Sequence, residues 1–240
     1  MTMGRMGRLA AVLAMVPAIA VAEPYHDYID EAAAELASKA IAWRRDIHRN
    51  PELSNREVRT AALVAEHLAA LGFEDIRTGI AHTGVTATIS GKRLGPTVAL
   101  RADMDALPVT EETGLDFAST VRTTYKGQEV GVMHACGHDV HVAVLMGVAE
   151  ILAGMREGIP GRVKLIFQPA EEGPPPGESG GAVMMLEEGV FEEPKPEAIF
   201  GLHVTPHDLH RVYYAPETML ASLDRFTITV RGRQTHGSAP

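Results

Sequence analysis

The segment from Met133 to His141 packs the chain's only cysteine and three of its eleven histidines into nine residues. Cys136 and His138 stand two positions apart around Gly137, a spacing that lets one loop offer a sulfur and an imidazole to a single transition metal. Further along, Gln168-Pro169-Ala170-Glu171-Glu172 carries paired carboxylates, and Gly201-Leu202-His203 carries another imidazole. A hydrolytic metal centre needs deprotonatable ligands, an open position for water, and a base beside that water. Cys136, His138, His203 and one of the two glutamates fit the first requirement, and the other glutamate fits the last. Each piece also has an ordinary explanation. Paired glutamates before a glycine are often solvated, a strand histidine is often satisfied by its neighbours, and Asp103 and Asp105 suit a turn before Pro108. Cys136 beside a histidine also fits a thiol nucleophile. His141 follows His138 by three residues on one helix face, which allows either a supporting role at the site or a plain surface one.

Those residues must be placed by regular elements. Ile29, Ala33, Leu36, Ala40, Trp43 and Ile47 recur at helical spacing, predicting a helix over 25–49 that Asn50-Pro51 ends. Ser54 with Glu57 reads as a capping box for a second helix, and Gly72 closes it. Strands are expected over 85–89 and 97–101, the second delivering Asp103 and Asp105 at its C-terminal end. The stretch 110–133 reads as a long irregular loop, the kind that carries function in a compact domain. A helix over 138–156 would put Cys136 and His138 at its positive end, which favours a thiolate. Strands over 162–167 and 198–203, with a short helix over 182–188 between them, deliver Glu171, Glu172 and His203 at their ends. The alternation gives an α/β sandwich with a largely parallel sheet, whose C-terminal edge is where sites are usually built. Later strands are expected over 211–214 and 226–230, with no helix to cover the second.

Composition narrows the function. With a net charge of −9 and 5% aromatic residues, nucleic acid and anionic membrane surfaces are excluded as main partners. At the N-terminus Arg5 and Arg8 precede an apolar run over 9–20, and Ala20-Val21-Ala22 fits a cleavage site before Glu23. Residues 1–22 therefore read as an export leader, making the product periplasmic or secreted. The competing reading, an uncleaved anchor, has to accommodate Pro17 in a run short for a bilayer. A lone cysteine has no disulfide partner within the chain, so export leaves Cys136 to inert burial or to chemistry.

Four motifs in order carry a resemblance: Arg101-Ala-Asp-Met-Asp-Ala-Leu-Pro108, Met133-His-Ala-Cys-Gly-His-Asp139, Phe167-Gln-Pro-Ala-Glu-Glu172 and Gly201-Leu-His203. Together with Asp46-Ile-His-Arg-Asn-Pro-Glu-Leu53 they resemble the amidohydrolase branch of the aminoacylase/carboxypeptidase metallopeptidases. That branch includes hippurate hydrolases, N-acetyl-diaminopimelate deacetylases and plant auxin-conjugate hydrolases. The resemblance implies a zinc-exopeptidase-like sandwich with a mostly parallel mixed sheet over 23–222, and the start of an inserted α+β lid and dimerisation domain over 223–240. It implies two divalent metal ions per subunit, Mn or Zn with Ni or Co also suited, held by Cys136, His138, Glu172 and His203. Glu171 falls on the general-base position, and Asp103 and Asp105 on a segment that holds a His-x-Asp ligand motif in sister branches and is read here as supporting the ligands. His236 falls on a lid histidine that binds substrate, in dimers across the interface. The implied substrate is an N-acyl amino acid or a small peptide. The family pattern continues past residue 240 to a final ligand histidine, so a product ending there is expected to bind metal poorly. The alternatives are a metal- or peptide-binding remnant without turnover and, less well supported by the residues, a Cys136 thiol hydrolase.

Overall fold

The computed structural model describes residues 25–222, 226 and 228–238; the expected leader lies outside them. Two helices open the described chain, α1 (His26–Arg49) and α2 (Val58–Ala70). The turn between them departs from the expected capping box. Glu52 caps α2 instead, its carboxylate accepting the backbone N–H groups of Arg59 and Thr60 at 2.9 Å each. Ser54 and Glu57 are both buried and bonded elsewhere. The residues that looked like a local cap are spent on distant strand ends, because the chain at 50–57 runs beneath the site.

Strands β1 (Glu74–Ile80), β2 (Gly84–Ser90) and β3 (Arg93–Asp103) follow, then a small hairpin of β4 (Arg122–Tyr125) and β5 (Gln128–Gly131) inside the loop expected to be irregular. Helix α3 (His138–Gly154), strand β6 (Pro160–Gln168), the short helix α4 (Gly181–Glu187) and strand β7 (Ala198–Gly201) complete the element list. The main sheet runs β1-β2-β6-β3-β7. Strand β3 is parallel to both β6 and β7, whereas β2 is antiparallel to both of its neighbours. The mixed α/β architecture is therefore present, with its parallel part confined to the three strands that feed the candidate site.

The sheet is covered on both faces except at its β7 edge, where all four residues are exposed. Residues of α1, α2 and α3 (Ile47, Val64, Leu68, Val142, Met146) pack with Val85, Ile89, Leu165 and Phe167 on one side. Ile80, Ala99, Ile166, Met185 and Val190 form a smaller cluster on the other. Neighbouring residues of β6 thus serve opposite faces, Leu165 and Phe167 one and Ile166 the other, as the two-residue strand period requires. Each such side chain contributes roughly 1.5–3 kcal/mol by burial.

The chain divides into two units, Met1–Val204 and Thr205–Pro240. The expected strand over 211–214 does not form, nor do the described positions 226 and 228–230 belong to one. Val212, Tyr214, Phe226, Ile228 and Val230 are all strongly exposed. An isolated ribbon with no apolar surface to cover it is not stable. The lid expected from the resemblance would begin inside this second unit.

Candidate metal centre

Parallel strands end on the same edge of a sheet, and here their register lines up the chemistry. Asp103 at the end of β3 pairs with Gln168 at the end of β6, and Arg101 pairs with Gly201 at the end of β7. Asp105, Glu171, Glu172 and His203 then leave this edge within a few residues of their strands. Helix α3 aims its N-terminus at the same place, beginning with His138. Gly137 makes that approach possible. Its φ of 86° suits glycine, and a Cβ there would meet Val204 Cγ2 at 2.3 Å.

His138 is fully buried at the centre. Its Nδ1 lies 3.3 Å from Asp105 Oδ1, and its Nε2 lies 3.6 Å from Asp103, 3.9 Å from Glu171 and 4.0 Å from Glu172. Neither ring nitrogen has a hydrogen bond of acceptable geometry, and Glu172 Oε1 is likewise buried and unpartnered. Cys136 Sγ sits 3.4 Å from His203 Nε2. The ligand atoms of Cys136, His138 and His203 lie within 4.8 Å of one another, as do those of His138, Glu171 and Glu172.

Asp103, His138 and His141 form a third such group, but of its two histidines His141 is already committed. His141 Nδ1 lies 2.5 Å from Asp103 Oδ1, and its Nε2 accepts the Val204 N–H at 2.9 Å. Both ring nitrogens are used, so His141 is no ligand. It lies buried beneath the site, not on the surface.

Asp105 organises the glutamate pair. It accepts the backbone N–H groups of Glu171 and Glu172 at 3.0 Å each and the Ser54 hydroxyl at 2.7 Å. The buried Glu57 carboxylate accepts the Ala170 N–H at 2.8 Å and the Thr83 hydroxyl at 2.5 Å, fixing the turn just before Glu171. Ser54 and Glu57 are the site residues that sequence reasoning assigned elsewhere. The only hint of them was a polar pair close behind Asn50-Pro51.

Charge is unbalanced here. Burial opposes ionisation of Asp103, but the His141 hydrogen bond, helped by Arg101 and His138, carries its pKa down to about 2. Asp105 is also held low, burial being outweighed by His138, Ser54 and the Glu172 N–H. Burial and then the charge of Asp103 push Glu171 up. Burial, with Glu172 beside it, pushes the Cys136 thiol up to about 12, which corrects the expectation that the helix end would favour a thiolate. A thiol so surrounded by carboxylates is a poor nucleophile. The same donors suit a divalent cation: thiolate, imidazole and carboxylate converge, buried polar atoms lack partners, and among the described residues only Asp103 of these carboxylates has an arginine partner. Bound cations reverse the local pKa order and deprotonate a coordinating thiol.

Of the sequence-predicted residues, Cys136, His138, Glu171, Glu172 and His203 come together, with Asp103 and Asp105 beneath them. His236 belongs to the second unit, where its Nδ1 faces the Ser238 hydroxyl at 2.8 Å.

Comparison with known proteins gives a consistent result. The profile of the Peptidase family M20/M25/M40 matches residues 99–235. Thermostable carboxypeptidase 2 of Saccharolobus solfataricus is 45% identical over 210 residues, covering 86% of this chain and 49% of that protein. The hippurate hydrolase of Campylobacter jejuni is 41% identical over 198 residues, covering 82% and 48%. Among solved structures, the Bacillus subtilis YXEP protein, described as a dinuclear metal binding peptidase, aligns with a TM-score of 0.62 at 42% identity, covering 72% of this chain and 44% of that one. The chain spans about half the length of the curated relatives it matches.

Proposed function

The chain belongs to peptidase family M20/M25/M40, and on that premise we propose that it forms the metal-binding part of an amidohydrolase acting on N-acyl amino acids or small peptides. The observation that carries this reading is His138, buried with both ring nitrogens unpartnered among Cys136, His203, Glu171 and Glu172. Cys136, His138, Glu172 and His203 would hold two divalent ions, with Asp105 facing the Nδ1 side of His138 and leaving Nε2 to the ligand cluster. When bound, the ions supply Lewis acidity that acidifies water and polarises the scissile carbonyl.

The protein's own groups do the rest. Asp105 holds the backbone of both glutamates, so neighbouring carboxylates keep separate directions. The Glu171 side chain is 39% exposed, open to a water and a substrate, whereas Glu172 is turned further in at 24%. Glu171 takes one proton from water as the oxygen attacks the amide carbonyl. It returns that proton to the nitrogen as the C–N bond breaks, leaving a carboxylic acid and a free amine.

The reading is tested by metal content and by hydrolysis of hippurate and N-acetyl amino acids, on the wild type and on Glu171→Gln. The variant should retain metal and lose about 10²–10⁴-fold in kcat, the usual contribution of a general base. Turnover that survives chelation but is abolished in Cys136→Ala would point to thiol chemistry instead. Metal bound without turnover would reduce the assignment to binding. From the pattern of the N-terminus we also propose that residues 1–22 are a cleaved export leader, checked by finding Glu23 at the mature N-terminus. The amidohydrolase reading also makes the full protein a homodimer through the lid, with His236 at the substrate, checked by sedimentation.

A further inference from the structure

We propose that His141 is a positioning residue that sets the orientation of the His203 imidazole through the backbone of Val204. The inference rests on the metal-site reading above and assigns a part to a residue that binds no metal.

The tautomers follow from which partners can donate. The Val204 backbone N–H can only donate, so His141 Nε2 must accept it. The His141 proton therefore sits on Nδ1 and is donated to Asp103 Oδ1. On the same residue, the Val204 carbonyl can only accept, so His203 Nδ1, 2.6 Å away, must donate to it. That leaves the lone pair of His203 on Nε2, the atom that faces Cys136 Sγ. A continuous line runs from Asp103 through His141, across Val204, to the ligand nitrogen of His203.

Beside this backbone link and Cys136 Sγ, the His203 ring is held only edge-on by the rings of His141, with centroids 4.7 Å apart, and His138, at 6.1 Å. Strand β7 ends at Gly201, and residues 202–204 are exposed and outside regular structure. Val204 is fixed by the His141 ring on its N–H and lies against Gly137 with its side chain. His141 itself is 2% exposed, one turn along α3 from His138, and moves with the rigid core. The interaction thus transmits the position of α3 and β3 to an exposed segment that carries a ligand. Groups that orient a ligating histidine from behind typically alter metal affinity by about 10–100-fold when removed.

The test uses the intact chain and Zn²⁺ affinity by competition with a chromophoric chelator, with Co²⁺ absorption to report thiolate ligation. His141→Asn keeps a donor near Asp103 but withdraws the acceptor from Val204. It should weaken Zn²⁺ binding about 10–100-fold. His141→Gln restores an acceptor nearer the Nε2 position and should recover part of that loss. The deciding arm is the His203→Ala background: there His141→Asn should change affinity by less than about twofold, because its route to the metal is gone. Additive losses in the double variant would overturn the proposal. A wild type with no Co²⁺–thiolate band would remove the metal-site reading itself, and the inference with it. Against misfolding of the variants, nitrogen NMR of the metal-free wild type gives a separate check. His141 should be protonated at Nδ1 and bare at Nε2, coupled to the Val204 amide; the opposite tautomer overturns the proposal.

Discussion

The floor and the rim of the candidate metal centre are built on different terms. Asp103, Asp105, His138 and His141 form the floor, each no more than 2% exposed. Three of the four are tied to protein partners: Arg101 and His141 for Asp103, Ser54 and two backbone N–H groups for Asp105, Val204 for His141. Cys136, Glu171, Glu172 and His203 form the rim, partly or fully open, and few protein groups bond their side chains. Buried carboxylates survive only when hydrogen-bonded, so the floor must be complete before any metal arrives. The rim has no such requirement. Its groups are free to wait for a cation, as is His138 with its two unpartnered ring nitrogens, which sets these candidate ligands apart from the scaffold of Asp103, Asp105 and His141.

The sharpest way to break this division is Asp105→Ala. It would leave the Ser54 hydroxyl and two backbone N–H groups without their acceptor, and the buried His138 without the carboxylate 3.3 Å from its Nδ1. Such losses cost about 3–5 kcal/mol, so urea unfolding of the metal-free protein should show a drop of that size. A metal-free protein no less stable than the wild type would mean the floor is not prebuilt.

Acid tests the same idea without mutation. The Asp103 pKa is depressed to about 2 in the folded protein, against about 3.9 for an unperturbed aspartate. Its stabilising contribution is therefore full above about pH 4 and is lost as pH falls towards 2, amounting to roughly 2 kcal/mol. Glu57, raised by burial, works in the opposite sense, its penalty relieved as it protonates. Chelator-treated protein followed by circular dichroism across this window should lose midpoint stability on balance, since Asp105 is depressed as well.

The smallest effect belongs to the rim. Glu171→Gln should change metal-free stability by no more than about 0.5 kcal/mol, as for an open side chain with no buried partner, while turnover collapses. Equal stability losses in Glu171→Gln and Asp105→Ala would erase the distinction.

The rim was easier to read from the sequence than the floor. Cys136 with His138, Glu171 with Glu172, and His203 are each weak signals alone, but all fall at the ends of apolar strands or of a helix, and that coincidence marks them; β6 and α3 are buried, whereas β7 is exposed. What the sequence hid depends on distant contacts. Ser54 and Glu57 mimic a helix cap, and only the fold shows that they reach Asp105, Thr83 and Ala170. Spacing alone left His141 undecided between surface and site. Strand β1 escaped notice because it lies at the sheet edge with most residues exposed, so no alternation marks it. The β4–β5 hairpin is four residues per strand and turns at Lys126-Gly127, both at positive φ, where the usual signal would be Asn-Gly or Asp-Gly. The strands expected over 211–214 and 226–230 were read from alternation alone, and alternation does not supply a surface to pack against.

The pairing of β3 with β6 has a consequence for how such a protein can change over generations. Leu165, Ile166 and Phe167 divide the two cores between them, and the same pairing sets Asp103 opposite Gln168. Deleting one residue within either strand would send every following side chain to the wrong face and shift its end by about 3.3 Å. The apolar code and the address of the candidate site are written in the same letters, so neither can be edited alone. Deep insertion–deletion scanning should find these two strands intolerant along their whole length, far from any ligand, while the β4–β5 hairpin accepts changes of length.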